Sequence, residues 1–287
     1  MTIVQILLLA TALAATNAAA QQAQQAGESD HAPAGYAKVF GDEFDGTAID
    51  PAKWAYDTHR NASGWYNQEK QYYAAGRPEN ARIENGRLII EARSETLDKA
   101  RFPDFGGQKY TSTRLFTNGK ASWTYGFYEI RAKIPCGRGT WPAIWMLPED
   151  AKVQWPDGGE IDIMEHVGFD PTVIHQTLIT TAFNFKSGTE QTKAFKLLTA
   201  CTAFHRYQLL WTDKFIVTGV DDEPKFILKN VRSSRDRWPF DKPMHLLLNI
   251  AVGGEWGGQK GIDPAAFPAR MEVDYVRVYQ QAPGAKK

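Results

Sequence analysis

From residue 36 to about 280 apolar residues recur at every second position, and long helical spacing is absent, so the chain is confined to folds built of strands. Across residues 127–134, Tyr128, Ile130, Ala132 and Ile134 share one face, while Glu129, Arg131 and Lys133 share the other. That pattern is a strand buried on one side. Residues 204–211 put His205, Tyr207, Leu209 and Trp211 together. Residues 215–220 then lead into the turn formers Asp221-Asp222-Glu223-Pro224, which predicts a hairpin. Further strand-like runs lie at 87–93, 111–116, 174–181, 244–251 and 271–279, separated by Gly, Pro, Asn and Asp. The expected fold is all-β, two antiparallel sheets packed as a β-sandwich or jelly roll. No repeat or linker divides 36–280, so these residues read as one domain followed by a tail at 281–287.

The amino terminus reads differently. No charged residue precedes Glu28, and the apolar run 6–15 is too short to span a bilayer. Ala18-Ala19-Ala20 offers the small residues of a signal-peptidase site before Gln21, although the usual positive residue near Met1 is missing. The expectation is a signal peptide at 1–20 and a Gln/Ala-rich flexible leader at 21–35. The protein would be secreted, extracellular or periplasmic, without a membrane anchor. Export would allow Cys136 and Cys201 to pair, and two separate thiols is the alternative.

Charge narrows the ligand. Thirty-three Lys and Arg balance 33 Asp and Glu, and no basic stripe interrupts that neutrality, which argues against nucleic acid. The aromatic load of 9 Trp, 11 Tyr and 15 Phe suits an uncharged partner held by ring faces and hydrogen bonds.

Acidic residues concentrate in Gly158-Gly159-Glu160-Ile161-Asp162-Ile163-Met164-Glu165-His166. In a regular strand Glu160 and Asp162 face one way and Glu165 the other. A β-bulge at Ile163-Met164 would restore the parity, placing all three carboxylates on a cleft and Ile161 with one neighbour in the core. Three like charges on one face need a reason, and glycoside hydrolysis supplies one: a carboxylate nucleophile or base and a protonated carboxylic acid. Repulsion from ionised Glu160 would keep Glu165 protonated, with Asp162 hydrogen-bonded to Glu160. Strand rise alone leaves the Glu160 and Glu165 α-carbons roughly 13 Å apart, so their side chains must lean together to reach the about 5–5.5 Å of a retaining pair. A solvated charged strand is the competing explanation. A metal site from these acids and His166 is disfavoured, because adjacent Glu165 and His166 point to opposite faces. Trp141 and Trp145, four apart, share a face and could stack on pyranose rings, and Trp65-Tyr66-Asn67-Gln68-Glu69 mixes aromatic, amide and carboxylate groups.

With these residues in place, most of 36–280 resembles glycoside hydrolase family 16, specifically its bacterial laminarinase-like endo-1,3-β-glucanases. The matching pieces are Phe44-Asp45-Gly46, Asn67-Gln68-Glu69-Lys70-Gln71-Tyr72-Tyr73, Tyr110-Thr111-Ser112 with Arg114-Leu115, the Trp141 to Trp145 segment, the carboxylate strand, and Val273-Asp274-Tyr275-Val276-Arg277-Val278-Tyr279. The bulged form resembles laminarinases and related galactan hydrolases. The resemblance implies a jelly roll with an open substrate cleft and a retaining mechanism, with Glu160 as nucleophile, Glu165 as acid/base and Asp162 assisting. It implies substrate contacts from Trp65, Asn67, Trp141, Trp145, His175 and Trp256. Catalysis would need no cofactor, but a structural calcium held by Glu43, Gly86 and Asp274 is implied away from the cleft. The expected partner is a polysaccharide, and the expected state a monomer. Laminarinase-like relatives usually read His-Gly-Thr, an apolar residue, then His. Here the stretch is His175-Gln176-Thr177-Leu178-Ile179, which is read as an altered site wall, and Glu255 replaces a more familiar small or amide residue. The alternatives are a galactan or mixed-linkage glucan hydrolase, a transglycosylase, or a non-catalytic glucan-binding protein.

Overall fold

A computed structural model describes residues 31–282, so the expected signal peptide and most of the leader lie outside the described residues. A compact unit begins at Ala34. Its strands in chain order are β1 (Tyr36–Asp42), β2 (Ala55–Tyr56), β3 (Gln71–Tyr73), β4 (Ala81–Ile83), β5 (Leu88–Ser94), β6 (Tyr110–Ser112), β7 (Arg114–Phe116), β8 (Gly126–Lys133) and β9 (Thr140–Pro148). They continue as β10 (Glu160–Glu165), β11 (Val173–Ile179), β12 (Gln191–Lys196), β13 (His205–Trp211), β14 (Phe215–Val220), β15 (Glu223–Lys229), β16 (Met244–Val252) and β17 (Ala269–Gln281). Single-turn 3₁₀ segments at Tyr66–Gln68, Phe185–Ser187 and Pro264–Ala266 complete the regular structure. No helix among the described residues is long and apolar enough to cross a membrane.

Two sheets pack face to face. One runs β15-β14-β13-β8-β17-β5-β6-β3, with β1 added on β17 and β4 on β5, and the other runs β12-β11-β10-β9-β16-β7-β2. The pairing is antiparallel except between β3 and β6, which are parallel. The expected β13–β14 hairpin forms. The turn formers after it launch β15, whose pairing with β14 closes a second hairpin across Asp221-Asp222, both at positive φ as a tight hairpin turn requires.

Alternation decides which side chains fill the gap between the sheets. Ile144 and Met146 from β9, Leu246, Leu248 and Ile250 from β16, and Leu88, Ile90, Tyr128, Ile130, Leu209 and Val276 from the facing sheet are fully buried in one cluster. Each such side chain contributes roughly 1.5–3 kcal/mol by leaving water, which fixes the strand registers and therefore the opposite face as well. Cys136, after β8, and Cys201, before β13, form a disulfide that resolves the choice left open by the sequence. It lies behind the end of β10, with Cys136 Sγ 3.5 Å from Nε2 of the buried His166.

Candidate active site

The expected bulge is present in β10. Against β11, Glu160 pairs with Ile179, Ile161 with Leu178 and Asp162 with Thr177, but the next pair is Glu165 with His175. Two residues, Ile163 and Met164, therefore oppose Gln176 alone. Against β9 the register slips between Asp162 and Met164, so Ile163 is the inserted residue. Ile161, Ile163 and Met164 are all fully buried, one more core residue than the sequence suggested, and the three acids lie on the other face. His166 is buried on the side opposite Glu165, which removes it from any metal set with the acids. Just upstream, Gly159 has φ +79° and no room for a Cβ beside Phe240 and Pro239, so the turn into β10 requires glycine there.

Each acid has its own partners. Glu160 accepts a hydrogen bond from the Trp155 indole at 2.6 Å, and Glu165 accepts one from Trp141 at 3.1 Å. Burial is the largest effect on all three and raises all three pKa values. For Glu160, the Trp155 and Asp162 hydrogen bonds and the charge of Arg114 oppose that rise. Asp162 is held well above the carboxylate range by burial, then by the charges of Glu160 and Glu165. Glu165 is pushed up to about 8, by burial first and the Glu160 charge second, with Glu69 adding to it. The sequence argument had given the Glu160 charge first place. The three acids titrate as a set: Glu165 and Asp162 are pushed toward the protonated form by burial and by their neighbours' charges, while Glu160 alone has two hydrogen bonds and an arginine working for its ionised form.

Paired residues share a face, so the strand registers extend the site outward. On β11, His175, Thr177 and Ile179 stand beside Glu165, Asp162 and Glu160 respectively. The His175 ring meets Trp256 edge-on at 4.8 Å, and Trp256 meets Trp141 at 5.3 Å, so three aromatic rings surround the Glu165 end. Burial lowers the His175 pKa and keeps its ring neutral. On the other flank Trp145 donates to Asn249 at 2.8 Å and carries the Arg114 guanidinium 4.6 Å from its ring centre. Asn67, half-buried at φ +54°, accepts the Glu255 amide through its carbonyl and hydrogen-bonds Glu69 through its side chain. Glu255 itself accepts from Gln68 at 2.8 Å.

Three expectations change. Trp65 is only 5% exposed, donates to Asn61 and packs edge-on against Tyr73, so it supports the cleft end and is not an open platform. Gln176 does not line the site: parity turns it into the core, whereas Ile179 does stand on the cleft face opposite Glu160. The calcium set does not fit a cation as it stands. Arg277 grips the Glu43 carboxylate at 3.0 and 2.8 Å, and Asp274 is held by Arg131 at 2.6 Å and Arg87 at 3.5 Å. Gly86 is a turn residue at φ +70°.

Sequence reasoning missed Trp155, Arg114 and Asn249. Trp155 lies on an aperiodic loop. Arg114 had a usable signal, since it alternates with the buried Leu115 and so had to face the cleft.

Two glutamates on one face of a β-sandwich, each hydrogen-bonded by an indole and with an aspartate between them, are the paired carboxylates of a glycoside hydrolase. The sequence makes this specific: the model of the glycosyl hydrolases family 16 matches residues 68–277, and the chain belongs to that family. It is 52% identical to the beta-glucanase of Rhodothermus marinus over 261 residues, covering 88% of this chain and 87% of that protein. Among solved structures, the Rhodothermus marinus laminarinase superposes with a TM-score of 0.80 at 52% identity, covering 85% and 97% of the two chains. SCLam, a non-specific endo-β-1,3(4)-glucanase of the same family, gives 0.84 at 52% identity, covering 88% and 94%.

Proposed function

We propose that the chain is an exported, endo-acting, retaining β-glucanase whose principal substrate is β-1,3-glucan. The bulged strand carries the proposal: it sets Glu160 and Glu165 on one face with Asp162 between them, and Glu165 has the raised pKa that a general acid needs. In the first step a Glu160 oxygen attacks the anomeric carbon as the glycosidic C–O bond breaks, and Glu165 transfers its proton to the departing oxygen. Trp141 donates to Glu165 Oε1, which leaves Oε2 to carry that proton. In the second step Glu165, now ionised, takes a proton from water. That water attacks the anomeric carbon and releases Glu160, so β configuration is retained. Asp162 stabilises the ionised nucleophile before attack and again on its release.

Trp141 and Trp256 supply ring surface beside Glu165, and Trp145 and Asn67 supply hydrogen-bonding and aromatic contacts on the neighbouring flank. The likeness to a laminarinase and to a non-specific β-1,3(4)-glucanase supports β-1,3-glucan first and mixed-linkage glucan second. The apolar run and Ala18-Ala19-Ala20 support export. Glu160→Ala is expected to abolish release of reducing ends from laminarin, with azide restoring part of the turnover. Full residual activity would sink the assignment. Rates on laminarin, lichenan and agarose, compared side by side, separate the substrate readings.

A further inference from the structure

Gln176 is fully buried between the sheets, where an amide is costly unless every polar atom is met. Its Nε2 donates to the Ile163 carbonyl at 3.0 Å and to the Gly219 carbonyl at 3.3 Å, and its Oε1 accepts from Thr218 Oγ1 at 2.8 Å. These partners stand at irregularities in opposite sheets. Ile163 is the inserted residue of the β10 bulge, skipped by the register on β9 and sharing Gln176 with Met164 on β11. Thr218 and Gly219 flank the slip between β14 and β15. One side chain therefore ties the extra residue of the catalytic strand to the far wall of the core. The family resemblance leads one to expect glycine at this position, which has no side-chain amide with which to make the tie.

We propose that Gln176 is a positioning residue for the acid/base: by holding the Ile163 carbonyl it fixes the bulge that turns Glu165 toward the cleft. The inference rests on the roles assigned above to Glu160 and Glu165. Glu160 and Asp162 precede the inserted residue and keep their register with Ile179 and Thr177, while Glu165 follows it. Slack in the bulge therefore moves Glu165 relative to Glu160, and proton transfer to the leaving group suffers before nucleophilic attack does.

The test compares laminarin, whose leaving sugar needs a proton, with 2,4-dinitrophenyl β-laminaribioside, whose leaving group needs none. Glu165→Ala sets the reference: kcat/KM on laminarin should fall on the order of 10²–10⁴-fold while the aryl glycoside is little changed. If that contrast is absent, the reading of Glu165 fails, whatever Gln176 does. With the contrast present, Gln176→Met, similar in length and without the amide, is expected to lower kcat/KM on laminarin about 10–100-fold and to leave the aryl glycoside within about threefold. Its basic pH limb on laminarin should also be displaced. Equal losses on both substrates, or no loss on either, would overturn the proposal. If Gln176→Met does not fold, Thr218→Val loosens the same amide from the far side. A smaller but still selective loss on laminarin is expected from it, and a non-selective one refutes the idea.

Discussion

The Trp141 indole donates to Glu165 Oε1 at 3.1 Å and favours the ionised form, against the burial that pushes the Glu165 pKa up to about 8. Trp141→Phe keeps an aromatic ring and removes only the donor. A hydrogen bond to a charged group contributes about 1.5–3 kcal/mol, and one pKa unit corresponds to 1.36 kcal/mol, so its loss would raise the pKa by roughly one to two units. Water entering the space left by the smaller ring offsets part of this, and about one unit upward is the expected net shift. The acid is the protonated form, so the basic limb of kcat/KM moves to higher pH. The assay is initial-rate hydrolysis of laminarin from pH 5 to 10, with KM followed separately because the ring also faces substrate. A basic limb that stays in place or moves to lower pH would refute the argument that this indole stabilises the Glu165 carboxylate.

Other perturbations read different parts of the structure. Arg114 lowers the Glu160 pKa, so Arg114→Met should move the acidic limb of kcat/KM to higher pH, whereas Arg114→Lys, which keeps the charge, should move it less. Glu165 is protonated in the fold up to about pH 8 but ionises near its ordinary value of 4.5 when unfolded. Its raised pKa therefore costs no stability below about pH 4, and the penalty grows as pH rises to 8. Urea denaturation should accordingly show Glu165→Gln matching the native protein at pH 4 and exceeding it at pH 8.5, by on the order of a few kcal/mol. The disulfide closes a span of 65 residues. Replacing Cys136 and Cys201 by Ser should lower the unfolding free energy by about 4 kcal/mol on the chain-entropy model, read from the urea midpoint.

How far the sequence carried the structure depends on periodicity. Period two, broken by one residue between Asp162 and Glu165, showed that only a bulge could bring all three acids to one face, because no regular strand does so. The four-residue spacing of Trp141 and Trp145 likewise gave their common face. The same counting applies to Gln176. Next to His175, which faces the cleft, it had to face the core, and reading it as a site wall let the family comparison outweigh parity. Trp155 was not legible in this way, since its indole reaches Glu160 through a turn whose path depends on Gly159 packing against Phe240. Trp65 lies before a 3₁₀ turn, where no alternation reports burial. The arginines on Glu43 and Asp274 come from other parts of the chain or from across the sheet, so a motif carried over from relatives could not reveal the competition for those carboxylates. The disulfide required a distance that spacing alone does not contain.

Covalent trapping tests the central assignment most directly. A 2-deoxy-2-fluoro-β-laminaribiosyl fluoride slows both chemical steps and lets a glycosyl-enzyme accumulate, so the labelled peptide can be located by mass spectrometry. The account predicts a single fluorosugar ester on Glu160. A label on Asp162 or Glu165, or turnover with inversion at the anomeric carbon and no ester at all, would contradict it.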